Sequence, residues 1–339
     1  LTSQPSIGQP PVRTEPRRVS SGIDEVDFKL IAMLRKDGRM STGELARVLG
    51  LTDATVRARL RRLEEQQTMR VVAMTDYRLA GFNLIASIGV QLKGRDAGAV
   101  AEDIARLPQV LDVQVVIGAS DIEISVAAGE RDGLAQLLRE VAMIEGVSRL
   151  NAGMALDVCK FQWGWVPFLY DRHPAPLIPE ALPVKNLELD ALDRQIIDRL
   201  AQDARTSNRA IARELAVTEG TIRTRIKRLL DEKIIRITAI ANVDRLTKPL
   251  VALLWVDVEH SADVPQVAAA LATQHQISYV ATMLGRCDVM AVALVEDGDQ
   301  LIAYIHQTID RIAGVHQVRY TLVHQFIKHD YRWTMIIKD

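Results

Sequence analysis

Two short segments concentrate cationic side chains in a chain whose net charge is only −1. Residues 55–63 read Thr-Val-Arg-Ala-Arg-Leu-Arg-Arg-Leu, and residues 221–229 read Thr-Ile-Arg-Thr-Arg-Ile-Lys-Arg-Leu. On a helix turning about 100° per residue, Val56, Leu60 and Leu63 share a buried stripe. Arg57, Arg61 and Arg62 then fan across the outward face with Thr55 and Ala58, and Arg59 sits at its edge. The second segment presents Thr221, Arg223, Thr224, Lys227 and Arg228 in the same way, with Arg225 at the edge. Guanidiniums grip phosphates or the guanine edge, and small residues early in a helix let it approach base edges. A solvated basic face is the competing reading. Recurrence of the pattern after matching turns favours nucleic acid.

The recurrence is part of a duplication. Residues Asp24–Ala73 align without a gap on Asp190–Ala239, a constant shift of 166 positions. Identities include Asp27/Asp193, Leu34/Leu200, Asp37/Asp203, Arg39/Arg205, Ala46/Ala212, Leu49/Leu215, Thr52/Thr218 and Arg62/Arg228. Solenoid repeats have periods of about 20–50 residues, so this is a duplicated two-domain module. In each copy two amphipathic helices precede the basic one. Copy one has Asp24–Lys36, a short helix from Ser41 or Thr42, a turn at Gly50, and a helix over Asp53–Gln66 with Thr52 as N-cap. Copy two has Asp190–Gln202, Ser207–Leu215 and Thr218–Glu232. A short helix, a turn and a basic second helix make a helix-turn-helix. Copy two has Ala216 in place of Gly50, which predicts a different turn, since φ > 0 costs alanine about 1 kcal/mol. Gln67 and Lys233 stand where a terminating glycine is usual, and the sequence does not show how these helices end. Short strands over Met69–Met74 and Ile234–Ile240 follow.

The second half of each module switches period. Copy one gives strand Leu84–Leu92, helix Ala97–Leu107, strands Val110–Ile117 and Ile122–Ala127, helix Arg131–Ala142 and strand Val147–Val158. Copy two gives Val251–Glu259, Val264–Thr273, Ile277–Leu284, Val289–Val295, Gln300–Ile312 and Val315–Ile327. The order βαββαβ is the ferredoxin-like split unit. The fold class is therefore α+β: two copies of a winged or plain helix-turn-helix domain, each followed by a ferredoxin-like domain. The boundaries are a disordered tail at 1–22, heads at 23–76 and 190–242, ferredoxin-like domains at 80–159 and 246–327, a linker at 160–189 and a tail at 328–339. The linker carries Pro167, Pro174, Pro176, Pro179 and Pro183, which suits a semi-extended segment. Its run Phe161, Trp163, Trp165, Phe168 implies a start pinned to a surface, and Lys328, Tyr331 and Trp333 echo Lys160, Trp163 and Trp165.

Composition narrows the classes further. With 339 residues and 48% hydrophobic content, several packed cores are available. Cys159 and Cys287, only two and far apart, suit a reducing, cytoplasmic setting and no disulfide framework. No apolar run reaches the ~18–20 residues of a membrane span. No Gly-rich phosphate loop, His-Glu-x-x-His or nucleophile elbow occurs, so no cofactor is implied. His316, Tyr320 and His324 alternate on the last strand, where packing outweighs metal binding as a reading.

At this point the chain resembles the Lrp/AsnC, or feast/famine, family of transcription regulators. The resemblance rests on Asp27…Ile31…Leu34…Asp37-Gly38-Arg39, Leu45-Ala46…Leu49-Gly50-Leu51-Thr52, Arg59-Leu60…Leu63-Glu64 and the βαββαβ half. It implies a DNA-binding regulator whose second domain self-associates and binds a small effector, typically an amino acid. The family's Gly-x-x-Asp turn lies in or near that site. Here it reads Gly118-Ala119-Ser120-Asp121 and Gly285-Arg286-Cys287-Asp288, the second nearer the family pattern. Gly admits close backbone approach and Asp accepts hydrogen bonds from an ammonium, although both also suit a plain hairpin. Arg286 beside Cys287 could lower the thiol pKa. The partners so implied are double-stranded DNA, contacted by Thr52, Thr55, Arg57, Arg59, Arg61, Arg62, Thr218, Thr221, Arg223, Arg225, Lys227 and Arg228, an effector, and other tandem chains. The two ferredoxin-like units would pack as an internal pseudo-dimer.

The chain is also similar to sirohaem decarboxylases, which fuse two such modules. That resemblance implies His, Tyr and Arg groups in the βαββαβ pocket. The His-Cys-Tyr-x-Arg type of run is missing from Val110–Ile117 and Ile277–Leu284, and the basic helix faces are retained, so a regulator rather than an enzyme is expected.

Overall fold

The computed structural model describes residues 22–76, 78, 81–161, 189–241, 249–329 and 333–334. Residues 1–21 of the expected tail at 1–22, and Trp163, Trp165, Phe168 and Tyr331, lie outside them. The first head is α1 (Glu25–Lys36), α2 (Thr42–Leu49), α3 (Asp53–Glu65) and β1 (Met69–Asp76). Its ferredoxin-like unit is β2 (Leu84–Leu92), α4 (Ala97–Ala105), β3 (Val110–Ile117), β4 (Ile122–Ala128), α5 (Arg131–Ala142) and β5 (Val147–Phe161). The second head is α6 (Ala191–Gln202), α7 (Asn208–Glu214), α8 (Glu219–Asp231) and β6 (Ile235–Ala241). Its unit is β7 (Leu250–Val258), α9 (Val264–Ala272), β8 (Ile277–Leu284), β9 (Val289–Val295), α10 (Gly298–Tyr304) and β10 (Val315–His329), and β11 (Trp333–Thr334) ends the described chain.

The two ferredoxin-like units close one eight-stranded barrel in the order β10-β3-β4-β2-β5-β8-β9-β7. Closure depends on β5 and β10 running past their own sheets. Beyond Met154, β5 pairs with β8 as far as Phe161↔Tyr279, and beyond Leu322, β10 pairs with β3 as far as His329↔Asp112. The expected linker start at 160 and tail start at 328 are therefore corrected: Lys160, Phe161, Lys328 and His329 are strand residues, held by pairing to the other module. Strand alternation sorts the cores. Ile88, Val90, Ile122 and Ile124 pack under α4 and α5, with an equivalent cluster under α9 and α10. Leu253, Trp255, Ala281, Met283 and Met290 fill the lumen.

The heads also join. β1 pairs antiparallel with β6 from Met69↔Ala241 to Thr75↔Ile235, and β11 adds to β1 at Thr75 and Asp76. The strand after each basic helix thus makes no wing of its own; it joins the two heads in one sheet over one shared core containing Leu30, Leu63, Ile196 and Leu229. Arg39 donates to the Thr206 carbonyl at 3.0 Å and to Asn208 Oδ1 at 2.9 Å, and Arg205 donates to the Gly38 carbonyl at 3.1 Å.

The helix ends resolve two open points. Gly50 has φ 67 and Ala216 has φ 54, so both turns adopt the same left-handed geometry and the expected difference is absent. The energy that alanine costs there is outweighed by the turn's place in the head, where Val217 N–H still reaches the Ala212 carbonyl at 3.0 Å. Gln67 (φ 53) and Lys233 (φ 58) end α3 and α8 without glycine. Thr68 N–H donates to Leu63 O and Gln67 N–H to Glu64 O, both at 2.9 Å, which is the Schellman pattern.

Candidate functional site: basic helices and Gly-x-x-Asp turns

Each basic helix is started by a threonine. Thr52 Oγ1 accepts from Thr55 N–H at 3.2 Å, and Thr218 Oγ1 from Thr221 N–H at 3.1 Å. Satisfying an orphan N–H fixes where each helix begins, and hence which side chains face out. Val56, Leu60, Leu63, Ile222, Ile226 and Leu229 are buried as the pattern requires.

The arginines split into two sets. Asp27 is fully buried, and its carboxylate is shared by Arg59 at 2.9 Å and by Arg62. Asp193 does the same with Arg225 at 3.1 Å and with Arg228. Asp24 and Asp27 also form a reciprocal capping box at the start of α1, repeated by Asp190 and Asp193 at α6. The hydrogen bonds to Asp24 and Asp27 hold the Arg59 guanidinium above its ordinary value. The expected outward role of Arg62 and Arg228, and the edge role of Arg59 and Arg225, therefore change. A buried carboxylate must be paired, and these four side chains tie the basic helix to the first helix of its own head. Arg57, Arg61, Arg223 and Lys227 remain on the exposed face with Thr55, and Thr221 lies at its margin. Arg57 pairs with Asp53 at 2.6 Å and Arg223 with Glu219 at 3.6 Å, single-turn pairs that solvent screens.

The Gly-x-x-Asp turns join the strands at one end of the barrel. Asp121 Oδ2 accepts from Leu92 N–H at 2.7 Å, and Asp288 Oδ2 from Val258 N–H at 2.8 Å. Each aspartate thereby splices its turn to the neighbouring strand and leaves a second carboxylate oxygen. Gly118, Asp121 and Gly285 are exposed and Asp288 is half-buried. Arg286 and Cys287 are placed differently from expectation. Arg286 points inward, its side chain 5% exposed, with both terminal nitrogens 2.6 Å from the Glu123 carboxylate and its guanidinium 4.0 Å from the Trp255 ring centre. The Cys287 thiol is pushed up to about 12 by burial, which outweighs the neighbouring Arg319 and Arg286. Both side chains are buried in the barrel rather than exposed at the turn.

Residue-by-residue reading missed Glu123, Trp255 and the head-joining Arg39 and Arg205. Arg39/Arg205 was visible as an identical pair; Glu123 gave no signal, because an acid at an alternate strand position looks solvent-facing until the barrel closes. His316, Tyr320 and His324 are all exposed on β10, and no cluster able to hold a metal occurs among the described residues.

Comparison with known proteins follows this division. An AsnC-type helix-turn-helix domain matches residues 23–64 and 189–230, an Lrp/AsnC ligand binding domain matches 85–162, and a C-terminal dimeric alpha+beta barrel domain matches 246–336. An uncharacterised HTH-type transcriptional regulator of Pyrococcus horikoshii is 30% identical over 154 residues, covering 45% of this chain and 96% of that protein. The chain belongs to the Lrp/AsnC family. A second uncharacterised HTH-type regulator of this kind, from Pyrococcus abyssi, is 31% identical over 145 residues, covering 42% of this chain and 90% of its own. Each relative thus spans less than half of this Lrp/AsnC chain, as a single module would. The crystal structure of the sirohaem decarboxylase NirDL covers 89% of this chain and 92% of its own with a TM-score of 0.61 at 15% identity, a likeness of fold. No helix among the described residues is long and apolar enough to cross a membrane.

Proposed function

We propose that this Lrp/AsnC chain is a sequence-specific DNA-binding transcription regulator in which one polypeptide supplies both recognition helices. The observation that carries the reading is the pair of outward faces, Thr55–Arg57–Arg61 and Thr221–Arg223–Lys227, on heads that are hydrogen-bonded side by side through β1 and β6. Arg57 and Arg223, at equivalent positions, grip phosphate or guanine, and Thr52, Thr55, Thr218 and Thr221 lie at the helix starts that approach the duplex. The faces differ at Ala58/Thr224 and Arg61/Lys227. The preferred operator is therefore two unlike half-sites at one fixed spacing, near one helical turn or a multiple.

The effector, of amino-acid class, binds at the Gly-x-x-Asp turns, with Gly118 and Asp121 or Gly285 and Asp288 receiving its ammonium. Binding there biases the assembly of tandem chains and, by population shift, operator affinity. The residual carboxylate oxygen of each turn aspartate supports this assignment. A gel shift on the DNA upstream of the gene, repeated with each amino-acid class, tests both parts. Retarded DNA whose retardation changes with one class is expected. The absence of retardation, together with an optical change on titration with sirohaem, would replace the regulator by a decarboxylase.

A further inference from the structure

The two modules share a fold but line the barrel with unlike residues. Each strand position of the first module has a counterpart in the second, related by the pseudo-twofold that maps β2 on β7, β3 on β8, β4 on β9 and β5 on β10. Glu123, opposite Gly89 on β2, corresponds to Met290, opposite Trp255 on β7. Ala119 corresponds to Arg286 in the equivalent turns, and Gly153 to Thr321. The four positions are used together. Arg286 crosses from the second module into the first, pairs with Glu123, lies over Trp255 and packs on Gly153. A Cβ at Gly89 would sit 2.3 Å from Ser120 Oγ, 2.8 Å from Arg286 Nη2 and 3.0 Å from Glu123 Oε1, so glycine leaves the space that the ion pair and the serine donating to Glu123 occupy. On the other side, Trp255 Nε1 donates to Thr321 Oγ1 at 3.1 Å.

The two seams between modules share one bond, Lys160 Nζ to the Gln274 carbonyl at 2.8 Å and Lys328 Nζ to the Leu107 carbonyl at 3.0 Å, but their last pairs differ. At the end of β10, His329 Nδ1 lies 3.1 Å from Asp112 Oδ2. At the equivalent end of β5, Phe161 meets Tyr279 edge to face with centroids 5.8 Å apart.

We infer that these residues are a pairing code: the barrel face of the first module fits that of the second and rejects a second copy of itself. Pairing two first modules would put Ala119 where Arg286 stands, burying Glu123 without its cation, and would set Asp112 beside Phe161. Pairing two second modules would put Trp255 where Gly89 makes room for Arg286 and Met290 where Glu123 stands. Each like pairing buries an unpaired charge, and one of them also overfills the lumen. The partner selected is the opposite module of this chain, so the two unlike heads stay together.

The test uses full-length chains with exchanged codes. One chain carries Trp255→Gly, Arg286→Ala and Met290→Glu, giving both modules the acidic lining. The other carries Gly89→Trp, Ala119→Arg and Glu123→Met, giving both the basic lining. Each alone should lose the closed single-chain barrel, read as a lowered melting temperature or loss of soluble protein. Co-expressed with different tags, the two should recover as a mixed two-chain assembly by native mass spectrometry. Wild-type melting of either variant alone as a monomer, or co-expression that yields no mixed assembly, overturns the code.

Discussion

Replacing Asp27 with alanine separates the arginines that hold the head from those left for DNA. The carboxylate is fully buried and serves Arg59, Arg62 and the Asp24 backbone N–H at once. Removing one partner of a buried ion pair costs about 3–5 kcal/mol, and the lower end applies here, because Arg59 keeps Asp24 and both guanidiniums are partly exposed. The two heads share one core, so the loss reaches both. At about 4 °C or more per kcal/mol for a unit of this size, the heads should melt about 12 °C or more below wild type. Arg57→Ala and Arg61→Ala are the contrast: both residues are exposed, and Arg57 pairs within one turn with Asp53, so each should stay within about 0.5 kcal/mol of wild type. Circular dichroism melts of the three variants, with hydrogen exchange on α1 and α3, decide the matter. An Asp27→Ala protein within about 1 kcal/mol of wild type would refute the division, since a dispensable carboxylate could not be what commits Arg59 and Arg62.

Lys160 is 3% exposed and donates to the Gln274 carbonyl at 2.8 Å, and burial lowers its pKa from 10.5 to about 8. The folded chain therefore releases this proton before the unfolded chain does, so stability should rise between about pH 8 and 10.5, by up to about 3 kcal/mol. Lys160→Met should flatten that rise in pH-dependent melts. Cys159 and Cys287 thiols are raised to about 11 and about 12 by burial, so both should alkylate at pH 8 far more slowly in the folded chain than in urea, read by mass spectrometry. Arg205→Ala removes the bonds to the Gly38 and Met40 carbonyls, and should raise hydrogen exchange along β1 and β6 while leaving the barrel strands protected.

The local pattern made most of this architecture readable. Caps at Thr52 and Thr218, the buried stripe of Val56, Leu60 and Leu63, and the period-2 strands are short-range signals, and the elements sit within a few residues of expectation, except that the helix expected to reach Ile312 is α-helical only to Tyr304 and continues as a π-helix over Ile305–Ile309. Closure was less readable. That β5 and β10 continue to Phe161 and His329 depends on strands supplied by the other module, a long-range fact that local sequence does not carry. The arginines of the basic helices failed for a related reason. Helical phase put Arg62 outward, but a guanidinium at the end of a long side chain reaches across to Asp27, and phase alone does not say where the charge comes to rest. Arg286 is the same lesson inside the barrel: a turn residue read as ligand-facing finds a buried carboxylate from the other half of the chain.

In the proposed function, the exposed faces of α3 and α8 bind DNA phosphate. Fluorescence anisotropy of the full chain on its upstream duplex, across a salt series, measures it directly, with wild type beside Arg57→Ala, Arg61→Ala, Arg223→Ala and Lys227→Ala. Wild-type affinity should fall steeply with salt, and each substitution of a phosphate-contacting residue should weaken binding and lower the log–log slope by about 1. Affinity and slope left unchanged by all four substitutions, with the proteins folded, would place DNA binding elsewhere than on α3 and α8.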